Sequence, residues 1–454
     1  MTDDWFYKLP NLSKSDPALA ALIKKELERE EFGLQMIPSE NFVSPALLEA
    51  LGSILTNKYA EGYPKKRYYS GFEFVDQIET IAIERAKKAF NVPHANVQPY
   101  SGSPANFAIY LATCAPGDTI MGLNLPDGGH LTHGWKTSVS GMFYKSVPYH
   151  VKEDGYIDMD EVRELALEHK PKLIWVGATA YPREIDFAAF GKIADEVGAY
   201  LAADVSHITG LILAGVHQSP VDYAHIIMTT THKTLRGPRG AMLLVTQKGL
   251  EKDAELADKI DKAVFPGTQG GPHEHQIAAT AVALGEAMKP EFKAHGAQII
   301  KNAKALAGSL MKNGIKLVSN GTDNHLILID LTPFGAGKGI FASEALEASA
   351  IFTNKNTIPR DPSVPFYPSG LRLGTPALTT RGMREPEMAM IGAWIADIIK
   401  EAVVYELPAK KEERAECLKK FRSAIRDNAK VVEVKRLVRE LCAKFPFYIK
   451  APDA

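Results

Sequence analysis

The chain has 454 residues, 45% of them hydrophobic, with 53 Lys and Arg against 54 Asp and Glu, for a net charge of −1. That length exceeds one ordinary core and predicts two domains, or a large α/β domain with an appendage. The balanced charge, spread along the chain, excludes a basic nucleic-acid footprint, and no apolar run approaches the ~20 residues of a membrane span.

Residues 1–36 read as an N-terminal arm, 37–290 as a large domain, 291–407 as a small C-terminal domain and 408–454 as a helical tail. In the arm, Ser15-Asp16-Pro17 starts a helix that runs to about Phe32, with Leu19, Leu22, Ile23 and Leu27 on one face. A helix from Pro45 to Asn57 follows. The stretch with Tyr59, Tyr63, Tyr68 and Tyr69 has little apolar periodicity and reads as loop, where sites concentrate. From Asp76 to about Asp330 the pattern alternates. Helix 76–90 precedes a small-residue turn at 101–106, which opens a helix from Phe107 to Ala115. Strands are expected at 119–123, 143–147, 172–176, 200–203, 226–228 and 242–245, with a helix at 160–167. Apolar runs separated by helical segments imply a mainly parallel sheet buried on both faces.

Gly267 to Pro272 punctuates the chain, and helices at 273–289 and about 292–313 follow. The small domain should hold strands at 315–318 and 326–330, a helix at about 342–349, a loop from Asn354 to Ser369 and a helix at 385–403. The tail carries Leu418, Phe421, Ile425, Val434, Leu437, Val438 and Leu441 at amphipathic spacing. Cys114, Cys417 and Cys442 are widely spaced and odd in number, which fits a reducing compartment. The opening Met1-Thr2-Asp3-Asp4-Trp5 lacks the features of a signal peptide, so a cytoplasmic protein is expected.

The stretch from His225 to Gly240 organises the chemistry. Ile226-Ile227-Met228 reads as a buried strand, and three threonines, His232 and Lys233 follow it. Gly237-Pro238-Arg239-Gly240 is a turn cluster before a second strand. Lys233 therefore sits just past a strand end, where open α/β sheets bind ligands. A partly desolvated lysine attacks an aldehyde as the free amine. Pyridoxal phosphate asks for such a Schiff-base lysine, an acid for its ring nitrogen and a phosphate cradle. Asp204 ends the apolar run Ala199 to Ala203 upstream. Ser101-Gly102-Ser103-Pro104 offers hydroxyls and free amides at a helix start. His130 and His133 are spaced like a metal pair, but no third ligand is apparent, so no metal is expected. Gly335-Ala336-Gly337-Lys338 lacks the reach and final Ser or Thr of a phosphate loop.

With these residues the chain resembles the serine hydroxymethyltransferases, fold-type I pyridoxal-phosphate enzymes. The matching segments are 38–41, 57–64, 66–69, 98–103, 128–134, 229–235, 265–272, 321–325, 354–356 and 369–377, in the family's order. The resemblance implies a large domain with a mainly parallel seven-stranded sheet flanked by helices, a smaller α+β C-terminal domain and an N-terminal helical arm. It implies pyridoxal 5'-phosphate on Lys233 and tetrahydrofolate as co-substrate. Asp204 would face the ring nitrogen, His130 would stack on the ring, and Thr179 and His207 would lie on the ring-hydroxyl side. Ser101, Gly102, Ser103, Thr230, His232, Gly270 and Gly271 would hold the cofactor, the last two at its phosphate. Ser39, Tyr59, Glu61, Tyr69 and Arg372 would meet the substrate, with Glu61 moving the proton and Arg372 clamping the carboxylate. Tyr68, Leu125, Leu131 and Asn356 match folate positions.

The implied reaction converts L-serine and tetrahydrofolate to glycine and methylenetetrahydrofolate. A threonine aldolase differs by needing no folate, and an α-methylserine hydroxymethyltransferase by its substrate. A catalytically idle scaffold of this fold would not need Lys233, Asp204, Glu61 and Arg372 together. The stretch 59–69 and the loop 267–271 read as exposed loops on opposite sides of the core. The resemblance implies a homodimer or dimer of dimers with shared sites, in which Tyr59, Glu61, Gly270 and Gly271 reach into the partner's site.

Overall fold

The computed structural model describes residues 9–446. Its contacts divide the chain into two compact units. One holds residues 46–300, and the other joins the described residues before Ala46 to those after Ile300.

The first unit is built on a seven-stranded sheet. Its strands are β1 (His94–Asn96), β2 (Thr119–Leu123), β3 (Lys145–Tyr149), β4 (Leu173–Val176), β5 (Tyr200–Asp204), β6 (Ile226–Thr230) and β7 (Ala241–Val245), in the order β1-β7-β6-β5-β4-β2-β3. The neighbours from β3 to β6 run parallel. β7 runs antiparallel to both β6 and β1. A parallel return needs a long crossover, whereas the short segment between Thr230 and Ala241 permits only the antiparallel one. Successive strand residues enter alternate cores: Ile174 and Val176 join one cluster, Leu173 and Trp175 the other. Both faces are therefore covered, as the unbroken apolar runs predict.

Several boundaries move. Residues 139–143 are helical and the strand begins at Lys145. β1 carries His94 and Asn96 and has no apolar run to mark it. The helix begun at Pro45 stops at Leu51, and Ile54–Asn57 forms a separate turn of 3₁₀ helix after Gly52-Ser53. The helix expected from Phe107 begins at Gly102, so the small-residue turn is itself helical.

The second unit holds a four-stranded antiparallel sheet of β8 (Lys316–Leu317), β9 (Leu326–Asp330), β10 (Asn354–Asn356) and β11 (Gly370–Gly374), in the order β8-β9-β11-β10. The segment 354–356 is thus an edge strand rather than part of a loop. Leu34–Gln35 pairs with Ile351–Phe352. Tail helices Lys411–Arg426 and Ala429–Ala443 bury Leu418, Phe421, Ile425, Val434, Val438 and Leu441 in this unit's core. Lys338 is 1% exposed and donates to the Tyr405 carbonyl and the Glu406 carboxylate, so its charge is spent on structure. Among the described residues no helix is long and apolar enough to cross a membrane.

Candidate active site

β5 and β6 are parallel neighbours, so Asp204 and Thr230 end on the same edge of the sheet. Chain placement alone thereby gathers the acid and the lysine segment, at the carboxyl ends where such sheets bind ligands. Lys233 is half-buried, and its Nζ donates to Thr230 Oγ1 at 2.9 Å. The other branch of Thr230 packs on the expected cradle: a methyl group built on Gly102 would meet Thr230 Cγ2 at 2.9 Å. Gly102 opens the helix Gly102–Thr113, and Ser101 before it is extended and makes no side-chain capping bond. The amides of that first turn therefore keep their capacity for an anion.

Asp204 accepts from His133 Nε2 at 3.1 Å and Asn106 Nδ2 at 3.2 Å on one oxygen, and from the Ser206 amide at 3.1 Å on the other. Burial pushes this carboxyl up. The His133 hydrogen bond and the charges of His133, His130 and Lys233 outweigh it and hold Asp204 below the ordinary carboxylate range. Gly177 at φ 144° permits the close approach behind it, since a side chain there would strike the Asp204 carbonyl oxygen at 2.1 Å.

His130 Nδ1 lies 2.7 Å from Thr132 Oγ1, and Thr132 Oγ1 also accepts from Asn106 Nδ2 at 2.8 Å. The Thr132 hydroxyl then donates to Nδ1, which leaves the His130 proton on Nε2. Burial, followed by the charge of His133, pushes the His130 pKa down to about 4. Gly128 accepts from the Thr179 amide at 2.7 Å, which brings Thr179 to the base of the loop that carries His130. His207 is buried just past β5, and its carbonyl accepts from Thr234 Oγ1 at 2.9 Å. His232 is pushed down to about 3 by burial and by the neighbouring Lys233 charge. A cavity of about 220 Å³ lies beside His130 and His133 and is lined in part by Leu125, Trp135 and Lys136. Leu131 is 50% exposed.

The fold supplies the third member that the sequence did not show beside His130 and His133. One ligand atom from each of those histidines and from Asp204 fall within 4.8 Å of one another. His133 Nε2 and the Asp204 carboxylate are already hydrogen-bonded to each other, and this pair stacks beneath Trp175 through His133 at 4.8 Å.

A second group lies in the same unit. Tyr59 donates to Glu61 Oε1 at 3.2 Å, and the Tyr59 and Tyr69 rings meet edge to face at 5.3 Å. Tyr68 is 74% exposed and touches Phe265 at 5.7 Å between ring centres. The expectation that this stretch and the glycine loop lie on opposite sides is wrong. A methyl group on Gly270 would meet Glu61 Oε1 at 3.4 Å, and one on Gly271 the Tyr59 ring at 3.5 Å. The reason is the packing of helix Val75–Phe90 on helix Glu274–Ala287, which carries both loops on one side. Tyr100, next to Ser101, donates to the Gly271 carbonyl at 2.6 Å and so ties the glycine loop to the cradle.

Ser39, Asn356 and Arg372 belong to the other unit and group within it. Arg372 is 8% exposed in β11, and its Nε donates to Asn354 Oδ1 at 3.0 Å. Burial lowers its pKa to about 10, which leaves it cationic at neutral pH. Asn356 stands on the neighbouring strand β10. Ser39 is half-buried beside Pro38, which a side chain on Gly374 would touch at 3.0 Å.

Asn106, Thr132, Ser206 and Trp175 escaped the sequence reading, and His133 entered it only as half of a histidine pair. Only the repeated histidine hinted at any of them, because their role is set by partners distant in sequence. The donor set fits pyridoxal phosphate: uncapped amides for a phosphate, an ionised carboxylate for a ring nitrogen and a lysine at the strand ends. Asn106 Oδ1, His133 Nδ1 and His232 Nδ1 are buried without hydrogen-bond partners among the described residues, as in a polar floor that fits a polar ligand.

A family model described as serine hydroxymethyltransferase matches residues 12–395. The serine hydroxymethyltransferase of Acidothermus cellulolyticus (strain 11B) is 59% identical over 392 residues, covering 86% of this chain and 90% of that protein. The serine hydroxymethyltransferase of Sorangium cellulosum (strain So ce56) is 53% identical over 437 residues, 96% of each chain.

Proposed function

This chain belongs to the serine hydroxymethyltransferase family, and from that premise we propose how its residues divide the work. The reaction is the reversible transfer of the serine hydroxymethyl carbon to tetrahydrofolate, giving glycine and 5,10-methylenetetrahydrofolate. It depends on pyridoxal phosphate, whose ring supplies a sink for the electron pair left on serine Cα. The observation that carries the assignment of residues is the Thr230 junction, where Lys233 Nζ and cradle residue Gly102 meet one side chain.

Lys233 is the amine that carries the cofactor covalently. Asp204, kept ionised by His133, Asn106 and Ser206, holds a proton at the ring nitrogen. Ser101, Gly102 and Ser103 present hydroxyls and amides to the phosphate, which Gly270 and Gly271 reach from the second subunit of the dimer. His130, neutral and with its free N–H on Nε2, covers the ring face. Thr179 and His207 take the ring-hydroxyl side, and Thr230 and His232, beside the lysine, join in holding the cofactor. Arg372 clamps the amino-acid carboxylate, with Ser39, Tyr59 and Tyr69 around the substrate. Glu61 moves the proton at the serine hydroxyl oxygen. Tyr68, Leu125, Leu131 and Asn356 bind the folate.

The working protein is read as a homodimer or dimer of dimers in the cytoplasm, with shared sites in which Tyr59, Glu61, Gly270 and Gly271 of one subunit serve the other. Ile54, Tyr59, Tyr68, Tyr69 and Phe74 are all more than half exposed along one stretch, and such clusters mark interfaces. The free cysteines Cys114, Cys417 and Cys442 suit a reducing compartment. Glycine release from L-serine with and without tetrahydrofolate tests the reading. Strong folate dependence is expected, and equal rates would turn the assignment toward an aldolase.

A further inference from the structure

Glu61 stands immediately before a small hairpin of Gly62–Tyr63 and Lys66–Arg67. The side chain of Arg67 is 3% exposed. Its Nη1 donates to the carbonyls of Ala60 at 2.8 Å and Gly62 at 2.9 Å, the residues on either side of Glu61. Its Nε donates to Asp76 at 2.9 Å and its Nη2 to Glu79, both on helix Val75–Phe90. Gln98 Nε2 braces the same arrangement, donating to the Gly62 carbonyl at 2.9 Å and to Glu79 at 2.7 Å. Glu274 faces Arg67 Nη2 at 3.7 Å from the first turn of helix Glu274–Ala287, just past the glycine loop. It is 1% exposed, and among the described residues neither of its carboxyl oxygens has a hydrogen-bond partner.

We propose that Arg67 is a positioning residue for Glu61, gripping the backbone on both sides of it, and that Glu274 governs that grip. The inference rests on the reading of Glu61 as the carboxyl that moves the substrate proton. A lone guanidinium here serves two carbonyls and two carboxylates with four of its five N–H groups, and the fifth, on Nη2, lies 3.7 Å from Glu274, so the rigid fork can close on this third carboxylate only by shifting from its present bonds. Protonated, Glu274 makes no claim on it. Ionised, Glu274 becomes a strong acceptor that draws Nη2 toward itself and Nη1 off Ala60 and Gly62. Burial holds the Glu274 carboxyl up at about 8, with the charge of Glu79 adding to it. The charged groups facing it are Arg67 from the hairpin, Glu79 and Asp76 from helix Val75–Phe90, and Lys58 from the preceding loop. Glu79 and Glu274 thus share one cation, and the carboxyl without donors keeps the proton.

The test is a mutant cycle on the holoenzyme, read as serine turnover with tetrahydrofolate. Arg67→Lys, confirmed folded by thermal melting, is expected to lower kcat by at least ~10-fold with little change in the serine KM, because small misplacement of a reacting group is costly. In a Glu61→Gln background the same substitution should cost almost nothing, since Arg67 acts through Glu61. An equal loss in both backgrounds overturns the inference alone. Near-normal turnover of Glu61→Gln itself overturns the reading of Glu61 and this inference with it. The unmodified enzyme is expected to lose kcat as pH rises through about 8, whereas Glu274→Gln, which cannot ionise, should keep turnover at pH 7 within about twofold and show no such decline. Coincident pH profiles for the two proteins would remove Glu274 from the device.

Discussion

Asp204 and Glu274 are buried carboxyls of the same unit, and they answer burial in opposite ways. Burial pushes each toward the neutral acid. Asp204 accepts from His133, Asn106 and the Ser206 amide, and ends below its usual range. Among the described residues Glu274 has no donor on either oxygen, and its nearest cation is already bonded to Asp76 and Glu79. It ends at about 8. Between these two acids the supply of donors, rather than depth, decides which carries charge at neutral pH. The site gains a fixed anion at the strand ends and a proton reserve behind the Glu61 loop.

The sharpest way to break the contrast is at Lys233, whose charge helps to hold Asp204 ionised. Lys233→Ala should abolish turnover, a larger loss than the ~10²–10⁴ of an acid–base group. It should also abolish the cofactor adduct trapped by borohydride, located by peptide mass analysis. An adduct retained near Asp204 would move the chemistry to another amine. Asp204→Ala comes next. It strands three buried donors, each costing about 1–3 kcal/mol. The apoprotein should lose at least ~3 kcal/mol in urea unfolding. A loss under ~1 kcal/mol would mean that the donors re-pair and the floor is not preorganised. Arg372→Ala extends the comparison to a buried cation. Serine binding should weaken by about 2–5 kcal/mol, measured by calorimetry, because the substrate carboxylate loses its charged partner. Unchanged affinity would remove Arg372 from the carboxylate role.

The centre at Lys233 was legible because its signals are local. An apolar run, a polar cluster and a turn name a strand end wherever they occur. The alternation of runs and helices likewise gave a sheet covered on both faces. What stayed hidden depends on partners far apart in sequence. Nothing near Asn106 marks it as a donor to Asp204, and nothing near His133 marks the stacking of Trp175. The antiparallel strand His94–Asn96 is short, with two of its three residues polar, and what defines it is the register with β7. The glycine loop was misplaced across the core because loops have no periodicity, and helix packing, invisible in sequence, set its side.

The smallest expected effect is also the most specific, because the two acids leave opposite marks on stability. Asp204 has a folded pKa below its unfolded 3.8, so its contribution is present above that value and fades as pH falls through the lower folded one. Glu274 has a folded value raised from 4.5 to about 8. The folded chain therefore binds more protons than the unfolded chain across that window, and stability declines as pH rises from 4.5 to about 8. Arg67 lies close enough to relieve part of the cost once Glu274 ionises. The realised penalty is then about that of one unsatisfied buried group, ~1–3 kcal/mol. Glu274→Gln cannot release this proton, so its unfolding free energy should be flatter over the same window. Urea unfolding at several pH values between 5 and 8, on apoprotein to keep the cofactor's own titration out, reads the difference. Parallel curves for the two proteins would show that Glu274 already finds a donor, and the contrast with Asp204 would collapse.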